Sequence, residues 1–230
     1  MRIQGLQKLT LLDYPGKVAC TIFTGGCNFR CPFCHNASLV VEPDRNQEIQ
    51  EEEVLGFLKK RVGVLDGVCV SGGEPLLQPD IQEFLGAIKA LGYEVKLDTN
   101  GSFPTKLKSL VDKGLVDYVA MDIKNSKEHY GKTIGLESYD LSPVEESVDF
   151  LLSGAVPYEF RTTVVREFHK KEDFVSIGKW LIGAKQYFLQ GFVDSGDLIQ
   201  PGLSGYAVEQ MEAAKRIIKE TVEETHVRGI

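Results

Sequence analysis

The chain has 230 residues, enough for one sizeable domain with a proper core. Hydrophobic residues make up 43% and charged ones 26%, the ordinary balance of a globular protein, with a formal net charge of -7. An acidic chain without a Lys/Arg cluster is ill suited to gripping nucleic-acid phosphates, and Lys59-Lys60-Arg61 merely closes an acidic helical stretch. Residues 1–12 alternate polar and apolar residues and lack the basic segment and continuous apolar run of a signal peptide. No window is long enough to cross a membrane. These features predict a cytoplasmic protein with reduced thiols and neither nucleic acid nor membrane as partner.

Apolar periodicity then switches repeatedly between strand and helix. The expected strands are 18–23, 67–70, 94–97, 118–121, 158–164 and 187–189. The expected helices are 49–61, 79–91, 104–113, 142–152, 172–182 and a final one over 205–224. The polar run 42–50 reads as a loop rather than a boundary, so residues 1–230 are expected to form a single domain. Strict alternation predicts an α/β fold with a parallel sheet and right-handed crossovers. Six units fit a partial (β/α)6 barrel, and a doubly wound open sheet is the competing architecture.

The unusual residues share one address. Thr24-Gly25-Gly26-Cys27 follows the first of these strands, Ser71-Gly72-Gly73-Glu74-Pro75 the second, Asp98-Thr99-Asn100-Gly101 the third and Asp122-Ile123-Lys124 the fourth. All lie at C-terminal strand ends, the edge where α/β folds assemble chemistry.

Three of the five cysteines fall in Cys27-Asn28-Phe29-Arg30-Cys31-Pro32-Phe33-Cys34-His35-Asn36, a metal-site pattern rather than a disulfide framework. Four cysteines ordinarily ligate a four-iron cluster, so three would leave one iron open to a chelating amine and carboxylate. Two rivals fit part of the segment. Cys31-Pro32-Phe33-Cys34-His35 has the spacing of a c-type haem attachment but ignores Cys27 and lacks an export signal. A Cys₃His zinc site would need His35 beside Cys34 as a ligand, an awkward geometry. Cys20 and Cys69, inside strands, read as buried and inert.

Three residues between the first two cysteines and two between the last, with an aromatic before the third, resemble the signature of the radical S-adenosylmethionine (SAM) superfamily. With Asp13-Tyr14-Pro15-Gly16, Phe23-Thr24-Gly25-Gly26-Cys27 and Cys34-His35-Asn36, the chain is similar to activating enzymes of glycyl radical enzymes, those for pyruvate formate-lyase and the anaerobic ribonucleoside-triphosphate reductase. The resemblance implies a [4Fe-4S] cluster on Cys27, Cys31 and Cys34, and reductive cleavage of SAM to methionine and a 5′-deoxyadenosyl radical. It places Gly72, Gly73 and Glu74 at the SAM amino group, Asp98 near the methionine and Lys124 near the ribose or carboxylate. It puts Phe33 and His35 at the adenine, and Thr162, with Arg161, along the SAM site. It also implies a monovalent cation at Asp98, Thr99 and Asp122. The partners implied are a glycyl radical enzyme as protein substrate and a flavodoxin or ferredoxin-type electron donor, under anaerobic conditions. The same SAM site would serve a radical SAM enzyme acting on a small molecule such as a deazapurine precursor. His129, His169 and His226 are expected to be surface or loop residues rather than ligands.

Overall fold

The computed structural model describes residues 1–41, 43 and 47–230. Of the loop expected over 42–50, residues 42 and 44–46 lie outside the described residues. In chain order the elements begin β1 (Ile3–Thr10), β2 (Ala19–Thr24), α1 (Ala37–Val40), α2 (Glu51–Lys59), β3 (Gly67–Gly72), α3 (Ile81–Ala90) and β4 (Glu94–Thr99). They continue α4 (Pro104–Asp112), β5 (Tyr118–Asp122), α5 (Tyr130–Thr133), α6 (Ser142–Leu152), β6 (Tyr158–Val164), α7 (Lys171–Trp180), β7 (Tyr187–Gly191), α8 (Val208–Lys219) and β8 (Thr225–Arg228). Strand order follows chain order, giving an α/β fold whose eight-stranded, mostly parallel sheet does not close.

The expected strands are present as β2 to β7, and the expected helices as α2, α3, α4, α6, α7 and α8. Two strands were not expected. β1, within the alternating stretch 1–12 for which no strand is expected, runs antiparallel to β2 with irregular register. β8 has only four residues, below the length at which alternation is readable. The last helix begins later than expected because Gly205 is taken into an antiparallel bridge with Val165. α2 opens on Glu51, Glu52 and Glu53 and closes on Lys59, matching its dipole.

Contacts gather into two compact units. The first comprises Met1–Asn28, Ser38–Thr99 and Phe103–Ala120. Within it β2, β3 and β4 are parallel, with Cys20, Val68 and Val95 in register, then Thr21, Cys69 and Lys96, then Ile22, Val70 and Leu97. Because side chains alternate, one face of these strands is apolar (Cys20, Ile22, Val68, Val70, Val95, Leu97) and the other carries Thr21, Cys69, Lys96 and Asp98. A parallel strand buried on both faces normally reads as a continuous apolar run, so the polar face is a departure with a purpose.

The second unit comprises Phe29–Ala37, Asn100–Ser102 and Met121–Ile230. Here β6, β7 and β8 are parallel, and α7 packs on α8, which packs on β8. Phe160, Tyr187, Leu189, Phe174, Ile177 and Ile218 are buried in its core. Asp173 fixes the start of α7 by accepting the Lys170 amide (2.8 Å) together with the Ser126 hydroxyl and His129 Nδ1, each at 2.6 Å.

Candidate active site

In the first unit, two glycine segments at adjacent strand ends are laced together. The Gly73 amide donates to the Thr24 carbonyl and the Glu74 amide to the Gly26 carbonyl, both at 2.9 Å. A Cβ on Gly73 would lie 2.0 Å from the Gly26 oxygen, and Gly72 combines φ of +109° with a Cβ position 2.3 Å from the Thr24 nitrogen. Only glycine permits this approach. The loop carrying Cys27 is thereby tied to the segment carrying Glu74.

Glu74 is fully buried. Its Oε1 accepts from the Leu76 amide (3.0 Å), capping the 3-10 turn Pro75–Leu77, and from the Thr99 hydroxyl (2.8 Å). Asp98 ends the polar face of β4, where its Oδ2 accepts from the Ser71 hydroxyl at 3.0 Å. Its Oδ1 pairs with the ammonium of Lys96, a residue outside the expected site set. A lysine two positions before an aspartate in an otherwise buried strand was the available signal, since alternation puts the two on one face.

In the second unit, the rest of the cysteine loop is held by its backbone. The Arg30 amide donates to the Ile134 carbonyl (2.9 Å), the Gln200 amide to the Pro32 carbonyl (2.9 Å) and the Cys34 amide to the Cys31 carbonyl (3.0 Å). Cys31 is buried and Cys34 half-buried, and burial pushes the Cys34 thiol up from its ordinary value. Burial likewise pushes the Cys20 thiol up to about 12, the inert state expected of it. Phe33 packs against Phe168 (5.7 Å between ring centres). His35 stacks on Phe192 at 5.1 Å and 17°. Its Nε2 is buried without a hydrogen-bond partner among the described residues, and burial lowers its pKa, so the ring is neutral near pH 7.

Lys124 Nζ donates to Asp122 Oδ2 at 2.8 Å, and Arg161 Nε donates to Oδ1 at 2.5 Å. Burial alone would raise the Asp122 pKa, but Arg161 and Lys124 outweigh it and hold the carboxyl well below the usual range. Thr162 lies on the opposite side of β6 from Arg161. Its hydroxyl donates to the Ile123 carbonyl and accepts from Tyr187, both at 2.5 Å. The geometry thus brings Arg161, rather than Thr162, to the Asp122 carboxylate.

His169 lies in a loop as expected, but it is fully buried rather than at the surface. Nε2 faces the Lys124 carbonyl at 2.9 Å, so it carries the proton, and Nδ1 accepts from the Val165 amide at 3.1 Å. His129 and His226 are the partly exposed partners of Asp173 and Glu224.

None of the five cysteines is in a disulfide. Among the described residues no group of three or more His, Cys, Asp or Glu is gathered as a single metal ion would require. No described helix is long and apolar enough to cross a membrane.

Residues 21–181 match the family model of the radical SAM superfamily. A putative glycyl-radical enzyme activating enzyme of Methanocaldococcus jannaschii is 32% identical over 195 residues, covering 83% of this chain and 79% of that protein. The pyruvate formate-lyase-activating enzyme of Listeria monocytogenes is 27% identical over 175 residues, 71% of this chain and 68% of its own. A probable GTP 3′,8-cyclase of Saccharolobus solfataricus is 29% identical over 157 residues, but the match takes in only 48% of that protein. Among solved structures, SuiB of Streptococcus suis bound to S-adenosylmethionine shares the fold with a TM-score of 0.71 at 12% identity, over 89% of this chain and 48% of that one. The chain therefore spans about half the length of that structure. With the family model matched over most of its length, the chain belongs to the radical SAM superfamily, and glycyl radical activating enzymes are among its relatives.

Proposed function

We propose that the chain, as one radical SAM domain over residues 1–230, is an activating enzyme that generates a glycyl radical on a partner enzyme. Cys27, Cys31 and Cys34 would hold a [4Fe-4S] cluster. In such a cluster each cysteine ligates a different iron, so the thiols need not converge on one point as they would for a single ion. Two features support the fit: none of the three cysteines is tied up in a disulfide, and the His35 Nε2 is a buried polar atom without a partner among the described residues. When bound, the cluster supplies the electron that splits SAM into methionine and a 5′-deoxyadenosyl radical.

The protein's own part is to bind, orient and shield. Glu74 and Asp98 would accept the ammonium of the methionine end, with the glycine pair bringing backbone to it. Thr99 fixes Glu74 through its hydroxyl. Lys124, anchored by Asp122, would face the ribose or carboxylate, and Phe33 and His35 would flank the adenine. From β6 the side chain that would serve the site is Arg161 rather than Thr162, because it shares the Asp122 carboxylate with Lys124. The residues do not favour the cation expected at Asp98, Thr99 and Asp122, because each of the two carboxylates is already paired with a side-chain cation.

The observation that carries the activase reading is the relative from M. jannaschii, a putative glycyl-radical enzyme activating enzyme matched over 83% of this chain. The partner would be a glycyl radical enzyme, and a flavodoxin or ferredoxin-type protein the electron donor, in an anaerobic cytoplasm. Glycine suits the role of hydrogen donor because a side-chain-free loop can enter a confined site. The cyclase relative favours a second reading, a radical SAM enzyme acting on a purine-like small molecule.

Protein reconstituted without oxygen, given reductant and SAM, should release 5′-deoxyadenosine, and Cys31→Ala should abolish release. Mixing with candidate glycyl radical enzymes should give the glycyl radical signal in electron paramagnetic resonance. An intact cluster that leaves SAM uncleaved overturns the radical SAM chemistry. Turnover of a purine-like compound with no glycyl signal overturns the activase reading.

A further inference from the structure

We propose that Lys96 is a positioning residue of the SAM site, a built-in counter-cation that neutralises and aims the Asp98 carboxylate in place of a bound monovalent cation. The proposal rests on the SAM reading above.

Lys96 is almost wholly buried, with 3% of its side chain exposed. It sits on the polar face of β4, and its ammonium hydrogen-bonds Oδ1 of Asp98, the next residue on that face. Cys69, its register partner on β3, places Sγ 3.9 Å from Nζ and 3.7 Å from the same oxygen. Ser71 secures the other carboxylate oxygen. The carboxylate is thus held at both oxygens by a lysine and a serine that the resemblance assigned no part.

A purely structural reason for the pair is weak. Burying an ammonium and a carboxylate costs several kcal/mol each, and an apolar pair of the same volume is commonly as stable or more so. The neighbouring positions Val95 and Leu97 show that β4 uses apolar residues where packing alone matters. A functional reason is direct. The methionine end of SAM brings its own carboxylate, and a bare aspartate beside it would repel that group. A fixed positive charge beside Asp98, the Lys96 ammonium, removes the repulsion while leaving a carboxylate oriented for an ammonium. A dissolved sodium or potassium ion could do the same, but Lys96 delivers the charge covalently, without dependence on concentration.

The test is calorimetric titration of SAM into cluster-loaded protein without oxygen, comparing tetramethylammonium chloride with potassium chloride or sodium chloride at equal ionic strength. Wild type should bind SAM equally in all three salts. Lys96→Met should bind about tenfold more weakly in tetramethylammonium, and potassium or sodium should restore part of the loss. Lys96→Arg should retain salt-independent binding, which a packing defect would not predict. Thermal melting of each variant reports folding. Wild-type binding that requires potassium or sodium overturns the proposal without any variant, while leaving the SAM reading intact. Lys96→Met that binds like wild type in tetramethylammonium also overturns it. Wild type that binds SAM in none of the salts overturns the SAM reading itself, and this proposal with it.

Discussion

The ammonium of Lys124 lies 2.8 Å from Oδ2 of Asp122, two residues earlier, while Arg161 reaches Oδ1 from β6. One carboxylate therefore organises two cations from neighbouring chain segments. Asp122→Asn would leave both cations short of their counter-charge in a mostly buried setting. We expect a loss of about 1–3 kcal/mol at pH 7, measured by denaturant unfolding. The folded carboxyl sits well below the usual range. Its stabilisation is thus present above the unfolded value near ~3.9 and lost as pH falls through the folded one. The gap between wild type and variant should hold steady above about pH 5 and narrow below about pH 4.

His169 predicts a different pH window. Burial lowers its pKa, against the pull of its backbone hydrogen bonds to Lys124 and Val165. A group that resists protonation when folded gives full stability above its unfolded pKa of about 6.5, and stability falls as pH drops toward the folded value. His169→Phe should cost about 2–4 kcal/mol at pH 7 by stranding two backbone groups. It should also abolish the decline between about pH 7 and pH 5 seen in wild type. An unchanged decline in the variant would assign the acid sensitivity to another group.

Gly73→Ala would push a methyl group into the Gly26 carbonyl and force the two laced segments apart. The expected cost is about 1–3 kcal/mol, with less iron retained per chain after reconstitution. Gly86→Ala, in α3 with nothing within 4 Å of the new Cβ, is the matched control. It should be neutral or stabilising by up to about 1 kcal/mol.

His35→Phe keeps a flat ring against Phe192 but removes the buried Nε2. If that nitrogen serves the adenine, SAM affinity should fall about five- to tenfold with little change in melting temperature. Equal affinity would return His35 to a purely packing role.

The alternation of strands and helices was legible because each amphipathic segment carries its own period, and α6 and β6 coincide with their expected limits. What escaped depended on partners distant in sequence. β1 is a strand chiefly because β2 pairs with it, and β8 because β7 does. The cysteine triplet and the glycine run were conspicuous because their residue types are costly unless used. Lys96 was not, because a lysine in a strand ordinarily faces water and only its register with Cys69 turns it inward. Arg161 and Thr162 are neighbours in sequence, and only the hydrogen bonds of Thr162 to Ile123 and Tyr187 separate their roles.

The polar face of β4 also bears on how faithfully the chain folds. Sliding β4 by one residue against β3 would send Lys96 and Asp98 to the side occupied by Val95 and Leu97, and bring those two where the charges had been. In an all-apolar parallel strand such a slip is nearly silent. Here it would strand two charges in a dry interior, so misaligned pairings are strongly disfavoured. The residues proposed to prepare a cofactor site would then serve equally as a proofreading device for strand alignment.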